Sequence, residues 1–380
     1  MKVLLLSCST GEGHNSAAKA YGDYLSSRGV ESVFRDVLGF AGKNVTQKAS
    51  EIYNSTLSNH LFGIIYKLGS AISDWTIGKS SPVYWANKKY CSRLGEYIDS
   101  NDFDAIVCSH IFAADAVTEL KRRGRIKVPT MMIMTDYTMV PFTKDSDLDW
   151  YLTPHADVVD FCVEHGLSRE KILPWGIPVR REFYPPKMTR DEARRICKKE
   201  FGLLDTHKPW FLMMTGSMGY GKIKETVKEI LKSFNDSVEA VVVCGFNDKL
   251  KNELSHIATR HRGIHVIGYT EKVSLLMDAC DVLFTKPGGL SSTEAAAKHI
   301  PIVHTSPIPG CETCNALFFH YHGMSYATTD IPEQVRAAGR LCFDESCRDA
   351  MISAQAANIN TQTCRDITGL LLDGENNEKQ

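Results

Sequence analysis

Long apolar runs are missing from this chain of 380 residues. A membrane-spanning helix needs about 20 consecutive apolar residues, so the sequence predicts no transmembrane segment. The first eight residues are mostly apolar but lead directly into a glycine loop, which indicates a buried first strand rather than a signal peptide.

Motifs for several common chemistries are also missing. No glycine loop is followed by Gly-Lys-Ser/Thr, which excludes a Walker-type NTPase. No Asp-x-Asp pair follows a predicted strand, and Asp145 and Asp147 lie in a polar loop, so we expect no metal or cofactor. The twelve cysteines are scattered, and Cys311 and Cys314 form a lone CxxC pair with no second pair to complete a zinc site. This pattern predicts a reduced cytoplasmic protein.

Neither sign of charge dominates the chain. The formal net charge is −1, with 43% hydrophobic and 23% charged residues, which is ordinary for a globular protein and predicts no nucleic-acid partner. Residues 1–130 carry 16 Lys and Arg against 12 Asp and Glu, a small positive excess that suits an anionic surface.

Apolar runs alternate with helical patterns along the whole chain. The predicted strands are 3–7, 32–37, 105–109, 130–135, 210–215, 240–244, 264–267, 281–285 and 302–304. Strands separated by helices predict doubly wound parallel sheets. The proline-rich segment 172–186 predicts a linker, so we expect domains at 1–178 and 187–350. We further expect a helix at 351–372 that packs back toward the first domain, and a disordered tail at 373–380.

A glycine turn follows the predicted strand 281–285. Gly288 and Gly289 bring bare backbone close to a ligand, and a helix is predicted to open at Ser291. Backbone N–H groups at a helix N-terminus suit a phosphate. Glu294 falls about one turn into the helix, where its carboxylate can accept a hydrogen bond from a sugar hydroxyl. The alternative is an ordinary strand-turn-helix connection with a solvated Glu294.

A second polar loop follows the predicted strand 302–304. Its prolines and glycine present Cys311, Glu312 and Asn315, and a new helix is predicted to start near Asn315. The carboxyl ends of parallel strands meet at one edge of a sheet, where open α/β folds bind ligands. Phosphate at one loop and hydroxyl groups at the next form the layout expected for a nucleotide-sugar.

These two loops, together with residues 11–18 (Gly-Glu-Gly-His-Asn-Ser-Ala-Ala), resemble the monogalactosyldiacylglycerol synthase and processive diacylglycerol glucosyltransferase family. The chain is more distantly similar to the lipid-linked N-acetylglucosaminyltransferase of peptidoglycan synthesis. The resemblance covers roughly residues 1–370. It implies an α/β GT-B fold of two Rossmann-like doubly wound domains facing a cleft. It also implies an enzyme that transfers a hexose from a UDP-sugar donor to a diacylglycerol-type lipid acceptor, with inversion and without a metal.

The resemblance also implies which residues bind the donor. The expected donor-binding residues are Gly11, Gly13, Ser217, Tyr269, Thr270, Gly288, Gly289, Leu290, Ser291, Glu294, Cys311, Glu312 and Asn315. Ser217 is expected at a phosphate oxygen, and Tyr269 and Thr270 at the uracil.

His14 and Asp136 are the candidate catalytic residues. A helix N-terminus disfavours the imidazolium, so we expect His14 to be neutral near pH 7 and able to take a proton from an acceptor hydroxyl. The alternative is a histidine that caps the helix or binds phosphate, and the family's corresponding histidine supports the catalytic role. Asp136, at the same predicted sheet edge, either orients His14 or serves as the base itself.

Two positions depart from the family pattern. Many relatives carry a His and a Trp after Thr-Asp-Tyr, where this chain has Thr138-Met-Val-Pro-Phe142. Relatives usually have Gln where this chain has Cys311. A thiol is a weaker hydrogen-bonding group than an amide, so Glu312 and Asn315 are expected to carry more of the sugar recognition. The smaller side chain leaves room for an N-acetyl group and predicts a different or broader donor preference than galactose alone.

Residues 43–95 interleave aromatic, apolar and basic side chains. That composition suits a helical face that sits among anionic lipid headgroups, and it equally suits a helical pair packed on the sheet with Lys outward. The family resemblance favours the membrane surface, and hence a cytoplasmic protein bound peripherally to the inner face of the cell membrane.

Other functions fit parts of the sequence. An NAD(P)-dependent oxidoreductase would use Gly11, Gly13 and Asp36, but Ser16 replaces the third glycine and residues 285–315 stay unexplained. A UDP-sugar epimerase and a non-catalytic nucleotide-sugar or lipid-binding protein of the same fold both remain alternatives.

Overall fold

Two α/β units, each built on a six-stranded parallel sheet, make up the computed structural model of the chain. It describes residues 1–8, 12–42, 81–184, 188–203, 207–216, 219, 221–235 and 237–377. Unit 1 comprises Met1–Arg181, Ile308–Cys311 and Asn360–Gln380, and unit 2 comprises Glu182–Pro307 and Glu312–Ile359.

The sheet of unit 1 has the strand order β2-β1-β3-β4-β5-β6, and every neighbouring pair is parallel. Its strands are β1 Lys2–Ser7, β2 Glu31–Asp36, β3 Ala105–Cys108, β4 Thr130–Ile133, β5 Trp150–Leu152 and β6 Ile172–Leu173. The helices described over this stretch are α1 Glu12–Ser27, α2 Pro82–Asn87, α3 Cys91–Asp99, α4 Ile111–Arg122 and α5 Val159–Glu164.

The sheet of unit 2 has the order β12-β11-β10-β7-β8-β9 and is also parallel throughout. Its strands are β7 Trp210–Met214, β8 Glu239–Val243, β9 Ile264–Ile267, β10 Val282–Thr285, β11 Ile302–His304 and β12 Tyr326–Ala327. The helices are α6 Arg190–Phe201, α7 Ile223–Phe234, α8 Asp248–Ala258, α9 Val273–Ala279, α10 Gly289–Ala297, α11 Cys311–Tyr321, α12 Ile331–Phe343 and α13 Glu345–Asn358. A last helix, α14, spans Thr363–Asn377.

The central strands are buried on both faces, as crossover helices on a parallel sheet require. Every residue of β3, β4, β8 and β10 is buried. In unit 2, Phe211, Val242 and Phe284 of the sheet join one apolar cluster with Val227 of α7 and Leu341 of α12. This burial explains why these strands are predominantly apolar in sequence.

Each sheet reverses its strand order once, between β1 and β3 in unit 1 and between β7 and β10 in unit 2. Open α/β sheets bind ligands outside the carboxyl ends of the strands at such a reversal. In unit 1 the reversal lies between the segments that carry His14 and His110, and in unit 2 between those that carry Gly216 and Lys286. The topology therefore marks one candidate site in each unit.

The predicted α/β class and parallel sheets are confirmed. All nine predicted strands are present, with ends within one or two residues of those expected. The short strands β5, β6 and β12 were not predicted, because runs of two or three residues carry no clear periodicity. The predicted linker at 172–186 began too early, since β6 still belongs to the first sheet and unit 1 continues to Arg181.

The prediction of one helix at 351–372 was wrong. Helix α13 ends at Asn358 and α14 begins at Thr363. The Asn360 side chain breaks the helix, because its oxygen accepts from the Gln362 N–H at 2.8 Å and its amide donates to the Trp175 carbonyl at 2.8 Å. The tail prediction at 373–380 was also wrong in its start, since α14 continues to Asn377.

Helix α14 is held within unit 1. The Thr363 hydroxyl donates to the Trp175 carbonyl at 2.6 Å, and Thr368 contacts the Tyr21 hydroxyl of α1 at 3.4 Å. Gly176 permits this approach, because its φ is +94° and an added Cβ would lie 2.9 Å from the Thr363 hydroxyl.

The predicted membrane face lies largely outside the described residues, which resume at position 81. Of its described members, Tyr84 is buried and donates to Glu119 at 2.7 Å, which is a packing role. Trp85 is 57% exposed with the Lys88 ammonium 4.9 Å from its ring centre, which suits a surface role. Among the helices that the structure describes, none is long and apolar enough to cross a membrane.

We expect Gly176→Ala to lower the free energy of unfolding more than Gly124→Ala does. Both glycines have positive φ, but an added Cβ at Gly124 meets nothing within 4 Å. Gly124→Ala should therefore lower the free energy of unfolding by about 1–2 kcal/mol through backbone strain alone. Gly176→Ala should lower it by more, because its added methyl group also clashes with Thr363. Urea denaturation measures both values, and equal losses would show that the contact with α14 contributes nothing.

Candidate functional site

His14 lies in the first turn of α1, directly after the loop that follows β1. The Ser7 hydroxyl at the end of β1 donates to the Asn15 side-chain oxygen at 2.7 Å, and both residues are buried. This hydrogen bond ties the start of the helix to the strand and so fixes the backbone that carries His14.

Two neighbouring strands hold the His14 ring. Nδ1 lies 2.8 Å from the Thr135 hydroxyl, which follows β4, and the ring also hydrogen-bonds to the Ser109 backbone, which follows β3. The His110 ring packs edge-on against it, with centroids 4.7 Å apart and planes at 87°. The structure thus brings together the ends of β1, β3 and β4 around one imidazole.

Burial lowers the pKa of His14 below its usual value of 6.5. The negative charge of Asp136 and the hydrogen bond to Ser109 act in the opposite direction but do not overcome the burial. His14 is therefore neutral near pH 7, as the sequence predicted. The predicted cause was different, since desolvation rather than a helix dipole is the dominant effect.

Ser109, His110 and Thr135 belong to this site but were not predicted as site residues. Ser109 and Thr135 are the last residues of two predicted strands and His110 follows the first of them, and β3 lies between β1 and β4 in the sheet. That strand order could have identified them, but it is not readable from the sequence alone. The role of Asp136 as orienting group or base stays a prediction, and its carboxylate acts on His14 electrostatically.

Residues 286–288, which connect β10 to α10, are called the first donor loop, and the last of them has no side chain. Gly288 is the N-cap residue, with φ −70° and no side chain to cap the helix, and an added Cβ there meets nothing within 4 Å. The helix begins at Gly289, two residues before the predicted start at Ser291. The N–H groups of Gly289, Leu290 and Ser291 are the first of the helix, which have no acceptor within it.

Two contacts tie the first donor loop to the start of α11, the segment that follows β11. The Lys286 ammonium pairs with the Glu312 carboxylate, and the buried Asn315 amide donates to the Pro287 carbonyl at 3.0 Å. At the end of β7, Gly216 has φ +85°, and an added Cβ there would lie 3.0 Å from the Lys286 side chain. The structure therefore brings together the two segments that were predicted to bind the donor. Lys286 also belongs to this site and was not predicted.

The prediction that a helix starts near Asn315 was wrong. Helix α11 begins at Cys311, because Gly310 adopts φ +118° and lets the chain turn directly into the helix. Cys311, Glu312 and Asn315 therefore lie on the first turns of a helix instead of in a loop. Cys311 is half-buried and Cys314 exposed, and none of the twelve cysteines, all of which are described, forms a disulfide.

His304, at the end of β11, holds the first turn of α10 in place through a hydrogen bond to Ser292. Its two ring nitrogens lie 2.9 Å from the Ser292 hydroxyl and 3.0 Å from the Ser325 hydroxyl. Complete burial lowers the pKa of His304 to about 3, so it is neutral at physiological pH. This histidine has a positioning role that its place inside an apolar run did not reveal.

Glu294 is buried in α10 with only 7% exposure, which contradicts the alternative of a solvated side chain. Its predicted contact with a ribose stays a prediction.

Tyr269 follows β9 and stacks on Phe246, which follows β8, with centroids 4.3 Å apart and planes at 14°. Both rings are more than half exposed, so they present an aromatic surface where the sequence predicted the uracil. The Thr270 hydroxyl accepts from the Lys272 N–H at 3.1 Å and so shapes this turn.

Three other predicted donor residues are less informative. Gly13 lies in the first turn of α1 and is half-buried. Gly11 and Ser217 lie outside the described residues.

Comparison with known sequences bears on the candidate function. The sequence profile of the monogalactosyldiacylglycerol (MGDG) synthase family matches residues 14–179. A processive diacylglycerol beta-glucosyltransferase of Bacillus cereus is 28% identical over 353 residues, covering 90% of this chain and 86% of that protein. The predicted family resemblance is confirmed. Relatives named as glycosyltransferases support the prediction of a glycosyltransferase.

Solved structures establish the fold. MurG of Acinetobacter baumannii superposes with a TM-score of 0.63 at 14% identity, covering 98% of this chain and 99% of that one. Anabaena HepE in complex with UDP-glucose gives 0.60 at 14% identity, with 98% and 100% coverage. The UDP-GlcNAc 2-epimerase of Neisseria meningitidis bound to UDP-GlcNAc gives 0.63 at 12%, with 98% and 100% coverage. The GT-B fold is thus confirmed, and the fold alone does not separate transferase from epimerase.

We expect Asp136→Asn to lower the pKa of His14 further, because the substitution removes a negative charge that favours the imidazolium. Titration of the histidine ring carbons by NMR measures this pKa in the full chain. Asp23→Asn, on the exposed face of α1, is the matched control and should leave it unchanged. An unchanged or raised pKa in the Asp136→Asn variant would contradict the electrostatic action of this carboxylate on His14.

Proposed function

We propose that the protein is an inverting, metal-independent glycosyltransferase that moves a hexose from a UDP-sugar to a diacylglycerol-type lipid at the membrane surface. The observation that carries the proposal is the ion pair of Lys286 and Glu312, which ties the loop at the strand-order reversal of unit 2 to the start of α11 after the neighbouring strand β11. The similarity to diacylglycerol glucosyltransferases supports the lipid acceptor.

The donor diphosphate is proposed to lie at the N-terminus of α10. Gly288 leaves space for a phosphate to approach the backbone, and the N–H groups that follow it at the start of α10 donate to the phosphate. Glu312 and Asn315 then lie one strand away, where the sugar hydroxyls are expected. The exposed rings of Phe246 and Tyr269 offer a flat face to the uracil.

The chemical step is proposed as a single displacement. The acceptor hydroxyl attacks the anomeric carbon from the side opposite the diphosphate, which inverts that carbon. His14 takes the hydroxyl proton, for which its neutral ring is suited. The bond from the anomeric carbon to the phosphate oxygen breaks, and UDP leaves with the electron pair.

Charge on the departing UDP is proposed to be stabilised without a metal. The first N–H groups of α10 and the positive end of its dipole are fixed in place before reaction, since Ser292 is anchored to the buried His304. Pre-oriented donors of this kind stabilise developing negative charge in the way a cation otherwise would.

The acceptor is proposed to reach the enzyme from the inner face of the cell membrane. The exposed Trp85 and the adjacent Lys88 lie in the described part of the aromatic and basic segment that suits a headgroup layer. The protein would then bind the membrane peripherally and act from the cytoplasm.

The epimerase is the second candidate, because a UDP-GlcNAc 2-epimerase superposes as well as MurG does. The similar diacylglycerol glucosyltransferases favour transfer to diacylglycerol, and an aromatic and basic segment suits a reaction at a membrane better than one confined to a soluble nucleotide-sugar.

We expect Gly288→Ala to weaken UDP binding while the fold stays intact. The φ of −70° suits any residue and the added methyl group meets open space, so the free protein accommodates it. A bound diphosphate would occupy that space, and the Kd for UDP should rise about tenfold or more, which corresponds to about 1.4 kcal/mol. Isothermal titration calorimetry measures the Kd.

Gly39→Ala is the matched control for Gly288→Ala. Gly39 also has no atom within 4 Å of an added Cβ, but it lies in the turn after β2 of unit 1. This variant should bind UDP as the wild type does. Unchanged binding in Gly288→Ala would remove the α10 N-terminus from the donor site.

His14→Ala should lower kcat by about 10²–10⁴-fold, the usual loss for a general base. UDP binding should persist, because the residues proposed to hold its diphosphate and uracil at α10 and at Phe246 and Tyr269 lie in unit 2. Steady-state kinetics with a saturating donor, together with UDP calorimetry, separate the two effects. A kcat within a few-fold of the wild type would leave Asp136 as the candidate base.

A further inference from the structure

The His110 ring lies between two other rings at the carboxyl end of β3. Its centroid is 4.7 Å from that of His14 on one side and 4.7 Å from that of Phe112 on the other, and both contacts are edge-on. Because β3 is the strand next to β1, His110 reaches His14 from the neighbouring strand and limits the space into which that imidazole can turn.

His110 is also the N-cap of α4, which fixes its tautomer. Its Nδ1 accepts from the Phe112 N–H at 3.1 Å, so Nδ1 carries no proton and the proton of the neutral ring is on Nε2. Protonation of Nδ1 would break this cap. Burial and the proximity of His14 both lower the pKa of His110 well below its usual value, so it adds no positive charge next to His14.

From this geometry we propose that His110 is the positioning residue of the His14 base: its ring packs against His14, keeps water from it and holds it toward the Thr135 hydroxyl. This inference rests on the proposed role of His14 in glycosyl transfer. Among the described residues, the groups that act on His14 then come from two strands. His110 and Ser109 follow β3, and Thr135 and Asp136 follow β4.

His110→Asn tests the proposal without removing the cap, because an Asn oxygen also accepts from the N–H two residues on. The variant lacks the ring that excludes water, so the pKa of His14 should rise toward 6.5 and the acid limb of the kcat profile should move to higher pH. Loss of orientation should lower kcat by about 10- to 100-fold, with donor KM little changed.

His110→Asp is the second variant, because it keeps the cap and adds a negative charge beside His14. The pKa of His14 should therefore rise in the order wild type, Asn variant, Asp variant. NMR titration of the ring carbons measures it in the full chain. A purely structural role would change the melting temperature of both variants without producing this order.

His155→Asn is the matched control. His155 caps the short turn Ala156–Val158 in the same way, with Nδ1 accepting from the Asp157 N–H at 3.2 Å. It should change neither kcat nor the pKa of His14.

The inference is overturned if the His110→Asn protein keeps the wild-type His14 pKa and kcat. The titration needs no activity, so it separates the two claims. A wild-type protein without transferase activity, but with the expected pKa order, would refute the proposed function and leave His110 as the group that positions His14.

Discussion

The main constraint on this molecule is that a parallel sheet exposes the carboxyl ends of its strands along one edge, and that the strand order of each sheet reverses once along that edge. In unit 1 the reversal gathers His14, His110 and Thr135 from three strands. In unit 2 it places Gly216 against Lys286. Neither cluster is contiguous in sequence, so both exist only because the sheets have these orders.

Burial then determines the charge states at both edges. His14, His110 and His304 are all kept neutral, since desolvation lowers each pKa. A neutral His14 can take a proton, a neutral His110 can cap a helix, and a neutral His304 can join two hydroxyl groups. The same imidazole chemistry therefore provides one proposed base and two positioning groups, distinguished by what each ring contacts.

Much of this architecture was predictable from local pattern. The run from Asp281 to Glu294 predicted strand, turn and helix because apolar residues, two glycines and small helix formers occur in that order. The pairing of Lys286 with Glu312 and the roles of His110 and His304 were not predictable, since they depend on strand order and on α11 starting at Cys311. Helix ends set by a single residue, such as Gly310 or Asn360, were missed because the residue type alone does not reveal the φ angle or the hydrogen bonds that the residue adopts.

The central claim is sugar transfer to a lipid, and product analysis tests it most directly. The purified full chain is incubated with UDP-glucose, UDP-galactose or UDP-N-acetylglucosamine, with and without vesicles that contain diacylglycerol, and UDP and glycolipid are quantified by mass spectrometry. We expect one UDP for each sugar found in the glycolipid with at least one donor, and only when the lipid is present. Conversion of one UDP-sugar into another without lipid would contradict the claim and identify an epimerase.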